Sequence, residues 1–501
     1  MLCAIAAATF VSASHCSTRE EPAGHQPISR PAGDTAGAGR DIAGAPRGHI
    51  LFSPLLSTMT YLIDPTGQVV HTWDSGFAPG ASVYLLDNGH LLRPARDPEL
   101  PFFSGGGQGG RIQEFTWDGR LVWDFVLGNR ERMPHHDVAP LPNGNVLAIV
   151  WERKSGEGAI RSGRRPQLVG DGGLWPDSIL EISPVLPDGG KIVWEWHVWD
   201  HVIQDHDPTG PNYGKVSDHP ELVDINGDHG VRGLTEEAIE RLQALGYILR
   251  GTPAAALRAD FLHMNSIAYN PALDQIALSV SRFNELWIID HSTTKAQASG
   301  HSGGRAGRGG DLLYRWGNPR MYGRGSSDDQ QLFGQHDVRW IPPGLPGAGS
   351  LTIFDNGSDR PSGDYSAVIE IAPPLAGDGS YELPPGAAFG PARPTWTYTA
   401  PDKRSFSADF ISGAHRLPNG NTFICSGPTG YFFEVTPKGD IVWTYHNPFS
   451  GDAPNPSGDP PRSVFRATQI PPQHPALLGR TLKPLDPQPP LLDSQYSRRQ
   501  H

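Results

Sequence analysis

His136, His263 and His336 each stand seven residues before a tight turn in an apolar hairpin. The hairpin with Asn419-Gly420 at its turn has Ser412 at that offset, with His415 three residues on, and the one with Asn88-Gly89 has Ala81. A strand start packed in a core calls for apolar side chains, so repeated imidazoles at one offset point to chemistry. Clustered imidazoles suit metal binding, proton transfer, or covalent transfer through nitrogen. Arg282 follows the hairpin of His263, and Arg360 follows that of His336. Either arginine can hold an anionic group by forked hydrogen bonds. Histidine plus arginine without a carboxylate cage favours an oxyanion substrate over a metal. Asp137 and Asp337 each adjoin one of the histidines. Alternation along a strand turns them to the other face, where they are expected to pair with backbone. A separate segment, DINGDHG, offers Asp224, Asn226 and Asp228 at the first three ligand positions of a calcium loop. His229 stands where that loop needs Gly, and Thr235 where it needs a carboxylate, so an ordinary Asp/Asn turn is the alternative. No metal or other cofactor is expected.

The offset has meaning only within a repeat. A turn followed by an apolar run ending in an aromatic residue recurs at 64–73, 117–125, 188–196 and 437–445, with weaker copies at 309–316 and 392–398. A hairpin follows each of the first five in chain order, three with Asn-Gly at the turn, at 88–89, 143–144 and 419–420. A third, alternating strand completes each unit: RIQEFTW, SILEIS, ELWIID, SAVIEI and YFFEVTP. Units of about four short antiparallel strands are the blades of a β-propeller. The expected fold is therefore all-β, a closed six-bladed propeller with one helical insertion. HILFS and TYLID, at 49–53 and 60–64, are expected to complete the blade that holds Trp443, so that both chain ends close the ring. Equivalent positions in successive blades stand at one height, so the histidines are expected at one mouth of the central channel. The insertion covers 197–262 and holds one helix pattern, at 235–249, with Thr235 as its cap.

Composition agrees with this reading. Gly 60 and Pro 49 in 501 residues punctuate many short elements, and 13 Trp supply core. The net charge of −12 argues against nucleic acid as a partner. Cys3, Cys16 and Cys425 are too few for a disulfide framework. No apolar run is long enough to span a membrane. Residues 1–16 have the apolar character of a signal segment without its positive start. Residues 17–46 read as a disordered linker, 47–475 as the propeller, and 476–501 as a Pro-rich tail.

HMNSIAYNPALDQIALSVSRFNELWIID, GQHDVRWIP, FDNGSDR and RLPNGNTFIC with FFEVTPKGDIVW resemble the bacterial arylsulfate sulfotransferase family. The resemblance covers roughly residues 48–475. It implies a six-bladed propeller exported to the periplasm. It also implies transfer of a sulfuryl group from a phenolic sulfate ester to a phenol, without a nucleotide donor and through a sulfohistidine. On that basis His263, His336 and Arg360 are expected catalytic residues, with His415 as the expected sulfuryl carrier and His336 its rival. His136 and Arg282 are expected to bind substrate. The alternative is a non-catalytic propeller that binds an anionic ligand in its central funnel. A metal-dependent hydrolase or oxidase built on the three histidines is a further reading.

Overall fold

The computed structural model describes residues 37–41, 48–228, 234–451 and 461–490. The expected signal segment, most of the linker and the end of the tail lie outside these residues. Six four-stranded antiparallel blades make up the body, one of them extended by a fifth strand. Blade I is Val464–Ile470, His49–Pro54, Met59–Ile63 and Val69–Asp74, written from the inner strand outward. Blade II runs from Tyr84–Leu85 to Leu121–Val126, and blade III from Arg132–Pro140 to Gly189–His197. Blade IV runs from Met264–Asn270 to Tyr314–Trp316, and blade V from His336–Trp340 to Trp396–Tyr398. Blade VI runs from Gly413–Arg416 to Ile441–His446, and the short strand Arg40–Asp41 adds to its outer edge.

The recurrent Trp phrase is the last strand of each blade, where the sequence reading makes it the first of a unit. Trp443 therefore belongs to a complete blade VI and does not join residues 49–64. The strand that completes blade I is Val464–Ile470, which pairs with His49–Pro54. VFRATQI lies behind a Pro-rich stretch and lacks the turn and aromatic phrase of the other copies, so no repeat phrase marks it as a strand. Only the unfilled inner edge of blade I makes it a strand.

The Trp phrase has a physical purpose. Trp73 of blade I donates its indole N–H to Thr116 O of blade II (3.1 Å). Trp123 donates to Gly189 O of blade III (2.7 Å), and Trp196 to Gly310 O of blade IV (2.6 Å). Trp316 donates to Pro391 O, Trp396 to Pro437 O, and Trp443 to Pro65 O of blade I. Each indole thus packs its ring between blades and satisfies its one polar atom on the next blade. Six apolar cores lie between successive blades, including one that joins Trp443 and Phe432 to Ile50 and Phe52.

The insertion after blade III carries the helix, and Thr235 caps it by accepting the Ala238 N–H (3.2 Å). Three α-helices are described: α1 (Gly156–Arg161), α2 (Glu236–Ala244) and α3 (Lys295–Ala298). Ile239 and Leu242 of α2, with Tyr247 and Ile248 behind it, pack on Leu55, Ala81, Phe410, Ile411 and Phe465. These partners come from the inner parts of blades I, II and VI, so the insertion roofs one mouth of the channel. Arg241 of α2 pairs with Asp409 through both guanidinium nitrogens (2.5 and 3.0 Å).

Candidate functional site under the helical roof

The inner strands begin with a backbone kink. Ala81, His136, His263 and Ser412 have φ of 121°, 57°, 53° and 88°. In blade V the left-handed residue is Asp337 (φ 53°), one place after His336. Such φ values in non-Gly residues cost on the order of 1 kcal/mol each and persist where the surroundings over-determine them. The equal sequence offset therefore hides a kink that falls one residue later in blade V. It sends His336 to different partners.

His136 and His263 meet as their offset predicts. Their rings lie 4.6 Å apart, edge to face. Tyr247, from the roof, lowers its hydroxyl between them, 2.8 Å from His136 Nε2 and 2.8 Å from His263 Nε2. Asp260 holds the far side of His263, accepting from its Nδ1–H and from its backbone N–H (3.2 Å). Trp151 Nε1–H also donates to Asp260 (3.1 Å). On the other side, His135 Nδ1 lies 2.7 Å from His136 Nδ1, and His135 Nε2 lies 2.7 Å from Asp177 Oδ1.

These partners determine the protons. Burial alone would raise the Asp260 carboxyl, but its pairing with His263 and the Arg282 charge outweigh it and hold it ionised, well below the usual range. His263 then carries its proton on Nδ1, so its Nε2 accepts from the Tyr247 hydroxyl. The Tyr247 oxygen accepts from His136 Nε2–H, and His136 Nδ1 accepts from His135 Nδ1–H. Asp177 is pushed well above the carboxylate range, chiefly by burial and then by the nearby Asp260 charge, so it stands neutral beside His135. The result is a one-way file of hydrogen bonds from His135 to Asp260, with a carboxylic acid at one end and a carboxylate at the other.

His336 is buried nearby. Its Nδ1–H donates to Asn356 Oδ1 (2.8 Å), and its Nε2 accepts the Ile411 N–H (3.2 Å). Phe465 touches both rings, with its centroid 6.0 Å from that of His136 and 6.4 Å from that of His336. Burial holds His336 neutral, with a pKa pushed down to about 3. His136 is likewise lowered well below its ordinary value, first by burial and then by the neighbouring imidazoles.

The other expected residues divide. Arg282 reaches the cluster through Asp260, 3.6 Å from its Oδ2, and donates to Leu257 O (3.1 Å). Arg360 instead pairs with Asp355 (2.5 Å) and stacks on Phe333 and Tyr365. His415 meets another set of groups: its Nε2 accepts the Gln469 N–H (3.2 Å), and its ring lies against Phe423. Burial first, then the Arg339 charge, lowers it to about 3. Ser412 caps the Gly427 N–H (2.9 Å), a structural task. The calcium-loop residues are engaged by protein: Asp228 faces the Arg164 guanidinium (2.6 and 2.7 Å), Asn226 Oδ1 accepts the Arg165 N–H, and Asp224 accepts the Asn226 N–H.

The channel below the histidines is filled by charge. Arg466 of the inner strand of blade I donates to Asp137 (2.6 Å) and lies 3.0 Å from Asp337. Arg339 donates to Asp337 (2.8 Å), and Tyr84 donates to Asp137 (2.7 Å). As the alternation rule predicts, the two aspartates also bind backbone, accepting from Ile267 N–H (3.2 Å) and Ala414 N–H (2.9 Å) of the next blades. Two surface hollows, of about 300 and 220 Å3, lie away from the histidines, one beside Trp316 and Phe389 and the other beside Gln275 and Asp290.

Sequence reasoning missed Tyr247, Asp260, His135, Asp177 and Arg466. His135 doubles the motif histidine in HHD, and Asp260 stands three residues before His263. Those two signals were legible. Tyr247 and Arg466 come from segments whose place over and under the cluster is set by distant packing.

A β-propeller with a buried imidazole file at one mouth is the class that fold and site define. Over residues 55–448 the chain matches the family described as arylsulfotransferase (ASST). It belongs to that family, and its general activity is that of an arylsulfotransferase-like protein. A search of curated proteins finds no match. Among solved structures, a Bacteroides caccae protein of unknown function is 11% identical with a TM-score of 0.42, covering 84% of this chain and 98% of its own. A catalytically inactive virginiamycin B lyase from Staphylococcus aureus, solved with quinupristin, is 10% identical with a TM-score of 0.36, covering 83% and 92%. Likenesses this slight carry no argument about function.

Proposed function

We propose that the protein is an arylsulfate sulfotransferase, acting outside the cytoplasm, that transfers a sulfuryl group from an aryl sulfate to a phenol beneath the roof. Tyr247 carries this reading. Its phenolic hydroxyl rests between two imidazole nitrogens at 2.8 Å each. That is the setting an acceptor phenol needs, with a base for its proton and a donor for its oxygen. Substrate takes this place when α2 swings aside and withdraws Tyr247.

The chemistry assigned to the chain is a two-step transfer. His263, held by Asp260, is the acid and base. His336 is the carrier, favoured over His415 because its neighbours are the other site histidines. In the first step the His336 Nε2 lone pair leaves the Ile411 N–H and attacks sulfur. The S–N bond forms as the ester S–O bond breaks, and the departing phenolate takes the proton that the acceptor of the preceding turnover left on His263. In the second step the acceptor phenol gives its proton to His263, its oxygen attacks sulfur, and the S–N bond breaks. Arg282 and Arg360 are the candidates to hold sulfate oxygens, and His136 donates to the phenolic oxygen. For Arg360 this requires release from Asp355. Positive groups aimed at the transferring sulfuryl stabilise its charge in the transition state.

The test is a chromogenic aryl sulfate with and without a phenol acceptor. Acceptor-dependent phenolate release is expected, and His263→Ala and His336→Ala each reduce it on the order of 100-fold or more. Mass spectrometry after an acid-free quench is expected to find the added sulfuryl mass on the peptide carrying His336. A label on the His415 peptide would move the carrier there. Turnover with neither peptide labelled would replace the two steps by direct transfer. Saturable binding of the ester without release would make the protein a binding module.

A further inference from the structure

We propose that His201, His301 and Asp311 form a binding site for one divalent transition-metal ion, of which zinc is the type, between blades III and IV. This site is separate from the histidine file under the roof. His201 ends the turn that leaves blade III, and it is fully buried. His301 and Asp311 come from the excursion between two strands of blade IV, and the His301 side chain is 62% exposed.

The geometry at His201 is the reason. Its Nε2 lies 2.8 Å from Ala298 O. A carbonyl oxygen only accepts, so Nε2 carries the proton. In a neutral imidazole Nδ1 is then a bare lone pair, and it lies 2.9 Å from Asp311 Oδ1. His301 Nδ1 lies 2.8 Å from that same oxygen. A lone pair facing a carboxylate oxygen is repulsive unless a proton or a metal ion stands between them. A metal ion would take up that lone pair together with His301 and Asp311, since the ligating atoms of the three residues lie within 4.8 Å of one another.

The surroundings fit the same assignment. A ligating histidine characteristically donates its other N–H to a carbonyl or carboxylate, which fixes its tautomer and aim. His201 does so through Ala298. Trp196 lies parallel to the His201 ring at 5.9 Å and donates its indole N–H to Gly310 O, walling one side. Gly310 leaves the room this requires, since a Cβ there would lie 2.0 Å from Ala298 O and 2.5 Å from His201 Nε2. Two imidazoles and one carboxylate are a borderline donor set, suited to zinc, with a fourth position left to water on the exposed His301 side. Tetrahedral ligands about 2.0–2.1 Å from zinc stand roughly 3.3 Å apart. The present spacings therefore need to open by about 0.5 Å. His301 can supply this, because its loop continues through Gly303 and Gly304, both at positive φ.

The experiment uses the full, untagged chain, stripped with a chelator and titrated with Co2+ and Zn2+ alone. Uptake of one equivalent of Co2+ is expected, with the visible absorption of a nitrogen- and oxygen-ligated tetrahedral ion, displaced by Zn2+. His301→Ala and Asp311→Asn are expected to weaken binding on the order of 100-fold or more. Zinc is expected to raise the Tm of the wild-type chain and not that of His301→Ala. His301 is exposed, so its removal leaves the fold intact. No saturable uptake would overturn the proposal and leave Asp311 as the counter-ion of protonated histidines. Uptake that survives His301→Ala and is lost in His263→Ala would also overturn it, placing the ion under the roof.

Discussion

Buried imidazoles tie this protein's stability to pH as well as its chemistry. His135, His336 and His415 are each pushed down to about 3, in every case chiefly by burial. An unfolded chain binds a proton at each near pH 6.5, whereas the folded chain does not. Between those values the unfolded state holds more protons, so stability rises with pH. The contribution is present above about pH 6.5 and is lost as pH falls below it. Each such histidine is expected to cost about 2 kcal/mol between pH 7 and pH 5. His415 isolates the effect, because it stands apart from the proposed chemistry. Urea unfolding at both pH values is expected to give His415→Leu a smaller loss than wild type by about that amount. An equal loss would mean that His415 is already charged, or reached by water, in the folded state. The two left-handed histidines belong to the same scale. At His136 and His263 the backbone accepts strain, and the two imidazoles meet at one hydroxyl.

Among the elements, the outer strand and the roof have opposite tasks. The Trp-bearing outer strand binds each blade to the next through an indole ring and one hydrogen bond. Trp443→Phe removes the donor to Pro65 O and part of the ring. It is expected to cost about 1–3 kcal/mol, read as a lower Tm, with the far-UV spectrum unchanged. The roof is lightly fastened by comparison. Arg241 and Asp409 make its one described bidentate ion pair, and both side chains are partly exposed. An exposed pair is worth at most about 1 kcal/mol. Arg241→Ala is therefore expected to leave Tm nearly unchanged while hydrogen exchange across residues 234–248 speeds up. Unchanged exchange there would mean that the apolar contacts of Ile239, Leu242 and Ile248 alone hold the roof down.

For the whole molecule, an early and a late segment, His49–Pro54 and Val464–Ile470, meet in blade I, whose inner strand is the last described strand in the sequence. Ending the chain before Val464 removes that strand and also Arg466, leaving Asp137 and Asp337 buried without their shared cation. Such a truncation is expected to abolish cooperative unfolding, measured by denaturant melts with near- and far-UV probes. A cooperative transition of unchanged midpoint would show that blade I stands without its inner strand. The sequence by itself determined the blade repeat, the propeller class, the capped helix of the insertion, and the meeting of His136 with His263. All of these rest on local rules: alternation, turn chemistry, capping, and a constant offset within a repeat. It did not determine which phrase ends a blade, because a cyclic repeat reads equally well from any starting strand. Nor did it determine the inner strand of blade I, which only an empty edge selects. The later kink beside His336, the aim of His415 toward Gln469, and the pairing of Arg360 with Asp355 depend on single backbone angles that spacing does not encode. Tyr247 reaches His136, and Arg466 reaches Asp137, across more than a hundred residues of intervening chain. Only the closing of the propeller puts the one above the histidines and the other below.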